Sequence, residues 1–445
     1  MSAPWLYRAV WGSGLAIASP YLLGRAIAHG REMRERRGEW EPFPPAAANA
    51  VWVHAASVGE ARAARALVRA FAERGLPVVF SLVTPAARAL EEEWTVAGAR
   101  VVRHAPLDFA PFVRRALETA KPRALVFLET EIWPELLFQA SRRAIPPYFL
   151  SARLTPAGGA RLGRVRALLG SALSHARVGA QSEGDALRWR ALGIPDAQVR
   201  VTGNVKYEHP RGPLDSAARD RGRAGWERVV VFGSVRSREI DAIDQAVEIC
   251  RAHDRPALFV VAPRHPARTA ARLRNALSAR LRLHERTSKE GPLLPVPPRD
   301  GQRHAALLVS TVGELRDYYA LADVAFVGGT LCEVGGHNLF EAAEHATPVL
   351  FGPQTRHVDD VAAALIASAG GRKVADGAEL GRAILAWLAD ESARAQAAQA
   401  AWQCARELSG ALARTLAALE DWGFPFGVAR ESAGLSESAN RRGKA

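Results

Sequence analysis

Apolar residues along this chain gather in short runs separated by longer stretches where they recur every three or four positions. In the first half the runs fall at 51–55, 78–83, 101–104, 124–128, 148–150, 177–180 and 199–202. In the second half they fall at 229–232, 257–262, 306–309, 324–327 and 349–351. Near-continuous apolar strands alternating with amphipathic helices predict parallel sheets covered on both faces. Two such series predict an α/β protein with two doubly wound, Rossmann-like domains. We expect the first at 46–208 and the second at 209–390, joined through the polar, proline-containing stretch 206–226. A membrane anchor with a basic linker at 1–45, a helical segment at 391–427 and a disordered polar tail at 428–445 complete the expected division.

Composition changes this picture at three places. Residues 9–24 form an apolar run with Trp and Tyr nearby and basic residues after it. The run is short for the roughly 20 residues a span needs, and Pro20 interrupts it. It predicts one anchoring helix that crosses or lies in the membrane interface, with its positive side cytoplasmic. The net charge of +13 comes mostly from Arg, and residues 136–182 carry seven Arg with no Asp or Glu. Such an excess suits an anionic partner or a solvated helix face. Cys250, Cys332 and Cys404 lie far apart, without metal-ligand or redox spacing, and suit a reducing compartment.

Open parallel sheets bind ligands at the carboxyl ends of their strands, so the junctions after the strands carry the candidate chemistry. The first reads HAASVGE (54–60). Ser57 and Glu60 fit a capping box, and Glu60 equally fits a general base at a helix N-terminus beside the permissive Gly59. The fourth reads LETEIWPEL (128–136), where Glu129 and Glu131 follow an apolar strand. They suit either helix capping or acid–base and hydroxyl-binding roles. In the second half, Ser234 and Arg264 follow strands, and an Arg there can grip a phosphate. The richest junction is FVGGTLCEVGGHNLFEAA (326–343). Its glycine pairs predict a helix opening at Gly335–Gly336, with His337, Asn338 and Glu341 on the first turn and a phosphate on the freed amides. It resembles the nucleotide-sugar site of two-domain glycosyltransferases.

Taken in order, HAASVGE, FLETEIWPEL (127–136), SARL (151–154), VTGNVKYE (201–208), APRHP (262–266), TVGEL (311–315) and FVGGTLCEVGGHNLFEAAEH (326–345) resemble the 3-deoxy-D-manno-octulosonic acid (Kdo) transferases of lipopolysaccharide synthesis. The resemblance spans most of the chain. It implies a GT-B fold and inverting transfer of Kdo from CMP-Kdo to a lipid A precursor (lipid IVA). It assigns Glu60 as base and Glu129 as a second catalytic carboxylate. It puts Ser57, Gly59, Glu131 and Arg153 on the acceptor side. On the donor side it puts Lys206, Ser234, Arg264, Val312, Gly313, Glu314, Gly335, Gly336, His337, Asn338 and Glu341. It further implies no metal or other cofactor, no nucleic-acid partner, and a place on the cytoplasmic face of the inner membrane. Two stretches depart from the family pattern: Ala86–Ala87 after Thr84–Pro85, and Val235–Arg238 after Ser234. The alternatives are a GT-B enzyme acting on a UDP-sugar, as transferase or epimerase, and a non-catalytic protein that binds anionic lipid.

Overall fold

The structure, a computed structural model, describes residues 7–8, 30–207, 212–252, 254–298 and 303–426, except the side chains at positions 168 and 171. The expected anchor at 9–24 and the tail at 428–445 lie outside these residues. Among the described residues no helix is long and apolar enough to cross a membrane. The chain forms two compact units. One holds the described residues up to Tyr207 and from Gly410 onward, and the other holds Gly212 to Ser409.

The first unit is a parallel sheet of seven strands: β1 (Val51–Ala55), β2 (Val78–Leu82), β3 (Ala99–His104), β4 (Ala124–Leu128), β5 (Pro147–Ala152), β6 (Arg177–Ala180) and β7 (Val199–Val201). Their spatial order is β3-β2-β1-β4-β5-β6-β7. Every residue of β1, β2, β4 and β5 is buried, which is why these strands are apolar on both faces. The order reverses direction between β1 and β4, so the loops leaving those two strands diverge and open a ligand crevice there. The helix Val58–Glu73 then covers β1. Its buried residues Ala61, Ala64, Leu67, Val68 and Phe71 follow helical spacing and join one apolar cluster with Val51, Val53 and Phe80.

The second unit repeats the plan with β8 (Arg228–Val235), β9 (Ala257–Pro263), β10 (Arg282–Arg286), β11 (His304–Val309), β12 (Val324–Val327), β13 (Val349–Phe351) and β14 (Gly371–Lys373). The order is β10-β11-β9-β8-β12-β13-β14, again all parallel. The direction reverses between β8 and β12.

Two strands were absent from the expected set. Both β10 (RLHER) and β14 (GRK) are sheet edges and largely unburied, so their sequences need no apolar run. The stretch expected as one C-terminal helical segment is divided. The helix Glu391–Leu408 belongs to the second unit, and Ala411–Asp421 belongs to the first. Gly410, at φ 74°, makes the break in a left-handed conformation. The last helix completes the first core. Phe424 stacks on Phe71 with centroids 5.3 Å apart and meets the edge of Tyr148 at 4.9 Å.

Candidate active site

In the first unit the carboxyl ends of β1 and β4 bring three carboxylates into one electrostatic neighbourhood: Glu60, Glu129 and Glu131. Glu60 sits in the first turn of Val58–Glu73. Its Oε2 accepts the Ala56 N–H at 2.7 Å and its Oε1 accepts the Ser57 hydroxyl at 3.1 Å. Ser57 in turn accepts the Glu60 N–H at 3.2 Å. Ser57 is therefore the N-cap, but Glu60 reaches back to the Ala56 amide and the Ser57 hydroxyl instead of the Ser57 N–H of the expected capping box, and these contacts lock the carboxylate in one orientation. Burial pushes the Glu60 carboxyl above its ordinary value; the Ala56 amide opposes this, and the charges of Glu131 and Glu129 add to it. The cap at Ser57 leaves the Glu60 carboxylate half-buried beside two other acids. Gly59 is exposed, and a Cβ built on it would meet only the Ser57 hydroxyl, at 3.8 Å. No packing demands glycine there, which leaves space for a ligand to approach the backbone.

Glu129 leaves β4 with φ 57°, and Ser151 sits at an irregularity within β5 with φ 49°, conformations that cost L-residues energy and that gather at functional sites. Glu129 pairs with Lys206. The Lys206 loop is fixed to β5, because the Val205 N–H donates to Ser151 Oγ at 3.0 Å. Lys206, expected on the donor side, thus meets a carboxylate of the first unit. Glu131 accepts the Trp133 indole N–H at 2.9 Å, and the buried His54 Nε2 stands 3.9 Å away. Burial works to raise the Glu131 carboxyl, but His54 and Trp133 outweigh it and hold it below the usual range. Arg153 follows β5 and is half-buried. Beyond it, the helix Pro156–Arg164 buries none of its residues, and Arg161 and Arg164 are exposed.

In the second unit the loops after β8 and β12 meet. The glycine-rich stretch differs from expectation. Gly335 and Gly336 have φ of 98° and 88°, which no α-helix accommodates. The loop runs on to Leu339, and the helix is a single turn, Phe340–Ala343. His337 and Asn338 therefore lie on a loop, with no helix dipole behind them. The amides freed after β12 are also occupied. The fully buried Glu239 accepts the N–H groups of Gly329 at 2.8 Å, Thr330 at 3.1 Å and Leu331 at 3.0 Å, plus that of Arg236 at 2.9 Å. This nest already holds its anion. Glu239 had only a weak signal in sequence, an acid just before the apolar helix Ile240–Cys250.

Cations then define the candidate anion site. Arg236 Nε donates to His337 Nε2 at 3.0 Å, so the His337 proton resides on Nδ1. Burial, then the charges of Arg236 and Arg264, push His337 down to about 4; the ring is neutral at pH 7. Among the described residues neither Arg236 nor Arg264 has a carboxylate partner. Ser234, expected after the strand, lies inside β8 at an irregularity between Gly233 and Val235, with φ 56°. Asn338 Nδ2 donates to Glu341 at 3.2 Å and its Oδ1 accepts the Phe340 N–H at 3.2 Å. Burial raises the Glu341 carboxyl, against the pull of Arg316. Glu314 is held by Arg286, with Nη2 at 2.7 Å, and by the Thr311 hydroxyl. Its carboxylate shapes the turn, while Val312 stands exposed beside Gly313 at φ 94°.

Residues 31–209 match the family described as 3-deoxy-D-manno-octulosonic-acid transferase (kdotransferase). The chain is 36% identical over 426 residues to the 3-deoxy-D-manno-octulosonic acid transferase of Bordetella pertussis, covering 88% of this chain and 94% of that protein. Among solved structures it is similar to a glycosyltransferase from Rickettsia africae, with a TM-score of 0.56, 11% identity, and coverage of 86% and 98% of the two chains. It is equally similar to the UDP-GlcNAc 2-epimerase of Neisseria meningitidis, with a TM-score of 0.56, 14% identity, and coverage of 83% and 99%. These two share the GT-B fold with it, and a fold that serves transferase and epimerase alike does not choose between them. The relationship across nearly the whole length of the Bordetella protein does: this chain is a glycosyltransferase and belongs to the 3-deoxy-D-manno-octulosonic acid transferase family.

Proposed function

We propose that the enzyme moves Kdo from CMP-Kdo to a hydroxyl of a lipid A precursor, lipid IVA, with inversion, at the cytoplasmic face of the inner membrane. The carrying observation is Glu60: one orientation, imposed by Ala56 and Ser57, and a carboxyl raised by burial and by two neighbouring acids. Raising a carboxyl strengthens its carboxylate as a base. It takes the proton of the acceptor hydroxyl as that oxygen bonds to the anomeric carbon. The bond from that carbon to the phosphate oxygen breaks, and CMP departs with the electron pair. Inversion needs this one base and no covalent intermediate.

Glu129, with Lys206, and Glu131, with His54, order the acceptor side together with Ser57, Gly59 and Arg153. Arg264, Arg236 and the His337 Nδ1–H hold the donor phosphate and offset the charge it gains. Asn338 and Glu341 face the nucleoside, and Ser234, the Val312–Glu314 turn and Gly335–Gly336 shape its surroundings. A monophosphate leaving group held by arginines suits a reaction without a metal. The exposed arginines of Pro156–Arg164 suit the phosphates of the acceptor and of anionic lipid.

The test is mass spectrometry of lipid IVA incubated in detergent with CMP-Kdo and the full chain, comparing wild type with Glu60→Gln. Gln keeps the Ser57 cap on its own N–H and an acceptor for the Ala56 N–H, and it loses the base. Kdo addition by wild type and its loss in a Glu60→Gln protein of unchanged melting temperature support the proposal. Full activity in Glu60→Gln would reduce Glu60 to a helix cap. No addition by wild type, with turnover of a UDP-sugar instead, would overturn the donor.

A further inference from the structure

We propose that Arg8, from the N-terminal segment, is a positioning residue that sets the Glu129–Trp133 loop for the acceptor. This rests on the reading of that loop as part of the acceptor side. The helix Pro134–Arg142 begins where the loop ends, and its N-cap residue, Trp133, supplies no side-chain cap. Its first amides are satisfied from elsewhere. Asp108, itself buried, accepts the N–H groups of Glu135 and Leu136, both at 2.9 Å. The N-terminal segment completes the arrangement, because the Tyr7 hydroxyl donates to Asp108 Oδ2 at 2.6 Å. Arg8 then grips Glu135 with two parallel hydrogen bonds, Nε to Oε2 and Nη2 to Oε1, each 2.8 Å. Glu135 is fully buried, and its other contact is Gln139 Nε2 at 2.9 Å.

A buried carboxylate stripped of its cation is costly, so Glu135 cannot keep this position without Arg8. Any shift of Glu135 passes to Trp133 two residues upstream, whose indole holds Glu131. The helix Gly30–Arg36 ties the neighbouring loop in the same way. The Leu107 N–H donates to the Arg36 carbonyl at 2.8 Å, and Arg36 Nη2 donates to the Val83 carbonyl at 2.6 Å. The N-terminal segment is thus wired into the loops that carry the acceptor-side chemistry, and its expected role as a membrane attachment does not require these contacts.

The experiment compares wild type, Arg8→Gln, Arg8→Lys and the double variant Arg8→Gln/Glu135→Gln as full chains in detergent. It reads steady-state kinetics for both substrates, melting temperature, and hydrogen exchange of peptides spanning 127–136. Arg8→Gln is expected to speed exchange in 127–136 and to lower kcat/KM for the lipid acceptor about tenfold, with KM for the donor unchanged. Arg8→Lys is expected to recover part of this. In the double variant the unpaired charge is gone, so melting temperature recovers while the acceptor defect persists. Recovery of both in the double variant would overturn the proposal, leaving a charge-burial effect alone. Unchanged exchange in Arg8→Gln would overturn it too. Faster exchange with unchanged kinetics would instead sink the acceptor reading of the loop, and with it the positioning role.

Discussion

The two units share a plan and use opposite electrostatics. At the β1–β4 reversal the first unit gathers carboxylates: Glu60, Glu129 and Glu131, relieved by Lys206 and by the neighbouring His54. At the β8–β12 reversal the second unit gathers cations, Arg236 and Arg264, around a histidine kept neutral. Of the acids there, Glu239 is engaged by four amides, and Glu341 is bound by Asn338 and faces Arg264. The same topology therefore yields a crevice rich in carboxylates in one unit and one rich in cations in the other. What differs is the charge that gathers at each reversal, and in the second unit the buried Glu239 is taken up by backbone amides.

The sharpest break of this comparison is Glu60→Gln, expected to lower kcat by about 10²–10⁴ at unchanged melting temperature; a loss below tenfold removes the base from the first unit. Next is Glu239→Ala, which strips several buried amides of their acceptor. We expect about 3–5 kcal/mol of destabilisation in chemical denaturation, concentrated in the second unit; a loss under 1 kcal/mol would leave the nest open to ligand phosphate after all. Arg236→Ala should raise KM for the donor about tenfold to a hundredfold, leaving the acceptor KM alone. Equal effects on both would blur the division.

The pH dependence sharpens the contrast by sign. The raised Glu60 carboxyl loses its base function as pH falls toward a midpoint above the ordinary carboxylate value, so the acid limb of kcat/KM lies above about 4.5. His337, depressed to about 4, stays neutral on that limb and adds no step near 6.5; such a step, retained in His337→Asn, would have to come from another group. For stability the sign reverses. Glu60, Glu341 and Asp108, the last pushed up to about 6 by burial, contribute fully below their unfolded values. That contribution is lost as pH rises through the raised ones. Calorimetry should find Asp108→Asn less sensitive to pH between 4 and 6 than wild type. Smallest of all, Gly59→Ala should change melting temperature little, since the added methyl meets nothing closer than 3.8 Å, while weakening acceptor use.

The interior strands, the two-unit plan and the strand-exit motifs were legible in the chain itself. Burial on both faces forces a continuous apolar run, as in Ala124–Leu128, and loops at a sheet reversal concentrate polar residues. The N-cap at Ser57 was legible as well, because it is a contact across three residues. Edge strands such as Arg282–Arg286 were not, because one open side removes the demand for apolar residues. The helix expected at Gly335–Gly336 failed because positive φ at consecutive glycines is chosen by what they pack against, Arg356 and Val358, far along the chain. Only the tertiary structure decided which acids stay available. Glu239 meets amides some 90 residues away, Lys206 meets Glu129 77 residues away, and Arg8 meets Glu135 127 residues away. Local pattern records what each segment must bury; the partner of a buried charge is set by the fold that brings distant segments together.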